Sequence, residues 1–129
     1  MKKKIIIVVS HYYKDISKGM IENAIKSLKN FKIIKIIKVP GVFEIPISIV
    51  KNINKADAFV ALGCVIKGET PHFTFISQAV TQGIMNISID YKKPIGNGII
   101  TCLNKKQAMS RLKKGKEASK AIISILTQN

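Results

Sequence analysis

The chain has no tryptophan, one arginine, two histidines, two cysteines and only seven acidic residues among its 129. Each scarcity argues against something. Cys64 and Cys102 both lie inside apolar runs, with no His or Cys at ligand spacing. No disulfide framework and no metal site is therefore expected, only buried, reduced thiols of a cytosolic protein. The longest apolar runs fall far short of a bilayer span, so no transmembrane helix and no membrane partner is expected. The opening MKKKIIIVVSHYYKD imitates a signal peptide. Its apolar stretch is too short and no small-residue cleavage site follows, so it reads as a first strand. Against the few acids stand 22 basic residues and a net charge of +15. There is no RGG tract, no zinc-finger spacing and no interleaved aromatic platform, so a nucleic-acid partner is not expected. The lysines are spread along the whole chain beside heavy isoleucine usage, as compositional bias would leave them.

What is present is a core. Hydrophobic residues make up 47% and the mean hydropathy is +0.18. That composition, at this length, predicts one packed domain over residues 1–129. Residues 3–9 form a continuous β-branched run, the pattern of a strand covered on both faces. From Ser17 to Asn30, Met20, Ile21, Ala24, Ile25 and Leu28 keep helical spacing, with Ser17 as the N-cap. KIIKIIKV (32–39) is ambiguous by period, but its β-branched content and the Pro40-Gly41 stop favour a strand. Residues 43–53 read as a helix with Pro46 in its first turn. Residues 57–66 give a third strand, and 72–90 a long helix facing inward through Phe73, Ile76, Ala79, Val80, Gly83, Ile84 and Ile87. Residues 94–103 give a fourth strand, and Asn104 caps KKQAMSRL. A last helix over about 116–127 turns Ala118, Ala121, Ile122, Ile125 and Leu126 inward.

Strand and helix alternate four times, so the expected class is α/β. The architecture expected is a single three-layer α/β/α domain with a four-stranded parallel sheet, flavodoxin-like, in the order 2-1-3-4. Ligands of such sheets bind at the carboxyl ends of the strands. The loops leaving those ends are SHYYKD, PGVF, KGETP and LN. Both histidines, His11 and His72, follow the first and third strands, which points to one site.

KGETPH offers a turning glycine and then Glu69 and Thr70 N–H groups at a helix start, an anion cradle with an imidazole beside it. The same loop also serves as a capped helix start with a solvent-facing histidine. Glu44 in PGVFEIP is equally a carboxylate for ligand hydroxyls or a residue placed for the helix dipole. Tyr12 either stacks on a heterocycle or covers the sheet edge. Arg111, the lone guanidinium in a lysine-rich chain, suits bidentate recognition of phosphate or carboxylate.

Taken together and in order, PGVFEIP, ALGCVIKGETPHF and GIITCLNKKQAMSR, backed by KKGKEAS, closely resemble the lumazine synthase family. The resemblance runs from the first strand to the last helix. It implies a transferase of riboflavin biosynthesis acting at the penultimate step. The reaction joins 5-amino-6-(D-ribitylamino)uracil to 3,4-dihydroxy-2-butanone 4-phosphate and releases 6,7-dimethyl-8-ribityllumazine, phosphate and water, with no cofactor. By likeness, Tyr12 stacks on the pyrimidine, and Val42, Phe43 and Glu44 line the ribityl side. Cys64, Val65 and Ile66 present backbone groups to the uracil. Glu69 and Thr70 cradle the phosphate, Arg111 reaches it from the neighbouring subunit, Lys114 matches a lysine of the phosphate region, and His72 transfers protons.

The resemblance also implies sites shared between neighbours in a ring of five, and riboflavin synthase as downstream user of the product. A free pentamer or small stack of pentamers is the expected assembly. Three departures stand out. Asn97 replaces the phenylalanine that the family commonly brings from the adjacent subunit, Tyr12 stands for phenylalanine or tryptophan, and Lys67 for arginine. The chain is also shorter than the family pattern before the first strand, after the first helix and near the last helix. Two other readings remain: a basic RNA-binding protein on this fold, and a family member that assembles without turnover.

Overall fold

A computed structural model describes residues 2–68 and 72–128. Its strands are β1 (Lys4–Ser10), β2 (Lys32–Val39), β3 (Ala58–Ile66) and β4 (Ile95–Cys102). They form one parallel sheet in the order β2-β1-β3-β4, the order expected from the sequence. The helices are α1 (Lys14–Lys26), α2 (Ile45–Lys51), α3 (Phe73–Tyr91), α4 (Lys105–Met109) and α5 (Lys114–Leu126), with a 3-10 turn at Val42–Glu44 before α2.

The apolar runs alternate between two cores, one on each side of the sheet. Ile5, Ile7 and Val9 of β1 face α1 and α5, where they meet Ile16, Met20, Ala118 and Ile122. Ile6 and Val8 face the other way, toward Ile45 and Ile49 of α2 and Val80, Ile84 and Ile87 of α3. β3 is buried along its whole length, which is why its sequence shows no polar alternation. α5 lies close on β4 because Gly96 has no side chain; a Cβ there would occupy the place of the Ala118 carbonyl. Among the described residues, no helix is long and apolar enough to cross a membrane.

The structure corrects three local expectations. Ser17 does not cap α1, which begins at Lys14 with Tyr13 at its N-cap. Ser17 is buried instead, and its Oγ lies 2.7 Å from Ser10 O and 2.8 Å from Tyr13 O. The hydroxyl thus ties the helix to the end of β1, a role that a local sequence window cannot distinguish from a cap. Ala121 and Ile125 of α5 point outward. So does Ala79 of α3; each lies at the margin of its apolar stripe. Asn104 behaves as expected: its Oδ1 accepts the Gln107 N–H at 2.8 Å and caps α4. Cys64 and Cys102 are both buried.

Candidate active site at the carboxyl rim of the sheet

The sheet reverses its winding between β1 and β3, since β1 leads to β2 on one side and the later strands lie on the other. Such switch points open a crevice at the carboxyl ends of the strands. Here β1 pairs with β3 only as far as Val9 opposite Leu62. Pairing of β3 with β4 continues to Ile66 opposite Cys102. β3 therefore projects beyond β1, and the projecting segment carries Cys64, Val65 and Ile66.

Gly63 opens that segment. A Cβ at this position would lie 2.6 Å from Val42 Cγ1 and 2.7 Å from Ser10 Oγ. The absence of a side chain lets the end of β1 and the 3-10 turn close against β3. Val42 is buried there, whereas Phe43, the next residue, is 64% exposed. Glu44 is half-buried, and its Oε1 accepts the Gly41 N–H at 3.0 Å, the half of a capping box that a glycine N-cap allows. One carboxylate oxygen thus fixes the turn.

Tyr12 follows β1, is 68% exposed and meets Tyr13 edge-on with ring centroids 4.8 Å apart. His72 is the exposed N-cap of α3, with its imidazole centroid 6.4 Å from the Phe75 ring. Glu69 and Thr70 lie outside the described residues.

The remaining expected residues sit elsewhere on the same chain. Arg111 and Lys114 border a cavity of about 420 Å3 beside Ile99, Ile100 and Thr101 of β4. The Arg111 guanidinium is exposed, and its Nη1 donates to Thr101 O at 3.1 Å. Thr101 also borders a second, larger groove that runs along α3 past Phe75, Gln78 and Gln82. Asn97 stands opposite Ala61, well back along β4 from the Ile66–Cys102 rim. Five residues at ~3.3 Å each put it roughly 17 Å from that rim. Its side chain is turned onto its own strand, with Oδ1 accepting the Ile99 N–H at 3.1 Å. A single chain thus gathers Tyr12, Val42, Phe43, Glu44, Cys64, Val65, Ile66 and His72 at one end of the sheet, and holds Arg111, Lys114 and Asn97 on its β4 side.

Over residues 2–129 the chain matches the family profile of 6,7-dimethyl-8-ribityllumazine synthase. The chain belongs to this family. It is 43% identical to the 6,7-dimethyl-8-ribityllumazine synthase of Buchnera aphidicola subsp. Baizongia pistaciae over 146 residues, spanning 99% of this chain and 92% of that protein. The Cutibacterium acnes enzyme of the same name is 35% identical, over 96% of this chain and 80% of its own length. A Rhodopseudomonas palustris protein named 6,7-dimethyl-8-ribityllumazine synthase 1 is 36% identical, over 95% and 83%.

Two features of this family member's rim were not read from its sequence. One is the closure of Ser10 and Val42 over Gly63; the signal was a glycine inside an otherwise unbroken buried strand. The other is His11. Its N–H donates to Val39 O at 2.8 Å, and its buried Nδ1 has no hydrogen-bond partner among the described residues.

Proposed function

We propose that this chain is a 6,7-dimethyl-8-ribityllumazine synthase. It condenses 5-amino-6-(D-ribitylamino)uracil with 3,4-dihydroxy-2-butanone 4-phosphate to give 6,7-dimethyl-8-ribityllumazine, phosphate and water. The observation that carries this reading is the carboxyl-rim crevice. There an aromatic ring (Tyr12) and a carboxylate (Glu44) follow the ends of β1 and β2, and an imidazole (His72) follows the projecting end of β3, in a chain whose whole described length matches that family.

The roles follow from the chemistry of the groups. The Tyr12 ring is free to stack on the pyrimidine. Glu44 keeps Oε2 for ribityl hydroxyls while Oε1 holds Gly41, and Val42 and Phe43 form the apolar side of that subsite. The backbone of Cys64, Val65 and Ile66 reads the uracil edge. Imine formation, phosphate elimination and ring closure move protons at carbon, nitrogen and oxygen, work suited to the imidazole of His72. Glu69 and Thr70 N–H groups hold the phosphate with Arg111 and Lys114, whose positive charge stabilises the phosphate as it departs. Much of the acceleration comes from holding two reactive molecules face to face, an effect that reaches ~7–11 kcal/mol.

The phosphate ligands Arg111 and Lys114 belong to a neighbour's site. Supporting this, they lie beside Ile99, Ile100 and Thr101 of β4. Phe43, Ile47, Phe75, Met85 and Ile89 are exposed apolar side chains of the 3-10 turn, α2 and α3, a surface that another subunit would cover. The assembly is a homopentamer or a small stack of pentamers, cytoplasmic, and hands its product to riboflavin synthase.

The test is direct. The purified protein is mixed with both substrates, and the lumazine product is followed by its absorbance and fluorescence, with solution mass measured in parallel. Product formation by a pentamer is expected. An assembled protein that binds the pyrimidine without turnover overturns the enzymatic reading. A monomer with full turnover overturns the shared site.

A further inference from the structure

At the opposite end of the sheet, the amino ends of β1 and β3 and the approach to β4 enclose a polar cavity of about 350 Å3. It is bordered by Lys2, Lys3, Lys4, Lys55, Lys93 and Asp57. β3 alone is nine residues long, so this cavity lies roughly 30 Å from the carboxyl rim at ~3.3 Å per residue. The two sites are separate.

The walls are fixed by hydrogen bonds. Asp57 Oδ2 accepts the Lys4 N–H at 2.7 Å, and the Asp57 N–H donates to Lys4 O at 2.8 Å. This reciprocal pair joins the start of β1 to the residue before β3, and it engages one oxygen, Oδ2, of the carboxylate that borders the cavity. Lys93 is partly buried, and its ammonium donates to Ile53 O at 2.6 Å and Ala56 O at 3.0 Å. That contact pins the turn carrying Asn54 and Lys55.

Lys2, Lys3 and Lys55 are exposed. Among the described residues the sole ion pair is Lys105 with Asp15, so these ammonium groups have no carboxylate partner there. The chain therefore places like charges around a concavity on an ordered frame. This is the arrangement an anion relieves, because each ammonium is a point-charge donor to phosphoryl oxygen. The volume exceeds one phosphate, and the bordering lysines come from three segments of the chain, around positions 2–4, 55 and 93. Among the described residues no aromatic ring borders the cavity, so it offers no platform for stacked bases.

We infer that this amino-terminal cavity binds a small anion carrying two or more phosphoryl groups in a chain, free or as part of a nucleotide. The inference does not depend on the reaction at the other rim.

The experiment is calorimetric titration of the assembled protein with inorganic tripolyphosphate, with ATP, and with a short single-stranded RNA. Lys3→Gln/Lys55→Gln is expected to weaken tripolyphosphate or ATP binding by about tenfold or more. Lys106→Gln/Lys120→Gln removes the same charge elsewhere and is expected to leave that binding unchanged. Equal affinity for tripolyphosphate and ATP supports recognition of the phosphate chain alone, and tighter ATP binding supports a nucleotide as its source. Retained lumazine formation by Lys3→Gln/Lys55→Gln, or retained pentamer mass if the protein has no turnover, shows that this variant is folded. Equal weakening in both double variants would mean diffuse attraction to a chain of net charge +15 and would overturn the inference. So would binding of RNA alone, or no binding of either phosphate probe.

Discussion

Val42 and Ser10 meet over the bare backbone of Gly63, where a Cβ would come within 2.6 Å of Val42 Cγ1 and 2.7 Å of Ser10 Oγ. This contact fixes the spacing between the end of β1, the 3-10 turn and the projecting end of β3. It therefore sets the width of the crevice in which both substrates are proposed to meet. Gly63→Ala is expected to destabilise the protein by about 1–3 kcal/mol through overpacking. Val42→Ala in the same chain should recover part of that loss, because the pair shares one space. Thermal or denaturant unfolding of the two single variants and the double variant measures the coupling. Strict additivity would mean the close approach has been relieved by some other movement.

Glu44 has one oxygen committed to Gly41 N–H and a second available to ligand. Glu44→Ala removes both, with a stability loss of about 1 kcal/mol for the cap and a higher KM for the ribityl substrate. Glu44→Gln keeps an oxygen to accept the Gly41 N–H and should restore most of the stability while leaving KM raised. If Glu44→Gln matches the parent in both quantities, the carboxylate has no role at the ribityl chain.

His72 is exposed at the N-cap of α3, with no side-chain capping bond to lose. His72→Ala should leave stability nearly unchanged and lower turnover by no more than the ~10²–10⁴ that general acid–base catalysis supplies. Complete loss of turnover in a folded variant would move the burden of catalysis from substrate orientation to this imidazole.

Arg111→Ala is expected to raise KM for the butanone phosphate with little effect on the pyrimidine, since the guanidinium is assigned to the phosphate alone. An unchanged KM for that substrate would remove Arg111 from the site.

Mixed assembly tests which chain supplies it. His72→Ala and Arg111→Ala subunits, unfolded together and reassembled at equal ratio, should regain turnover in about a quarter of their sites if each site spans two subunits of a closed ring. No gain over the separate variants would place both residues in one chain's site.

The element order, the boundaries of β2 and the Asn104 cap were legible in the sequence because short-range physics sets them. A run such as KIIKIIKV before Pro40-Gly41, or an asparagine whose amide reaches three residues ahead, carries its own structural instruction. The family, too, was legible from segments such as ALGCVIKGETPHF. The start of α1 was not, because Ser17 answers to Ser10 O at the end of another element rather than to its own helix.

The sequence by itself determined a four-stranded α/β fold and the side chains that crowd its carboxyl rim, since burial period and loop position follow from the order of residues. Only the tertiary structure decided that Val42 closes on Gly63, that β3 outruns β1, and that Arg111 donates to Thr101 O beside β4. The reason is that such placements depend on how far each strand pairs and how closely two backbones approach. Those distances are set by packing between segments far apart in the chain, and no local window contains them.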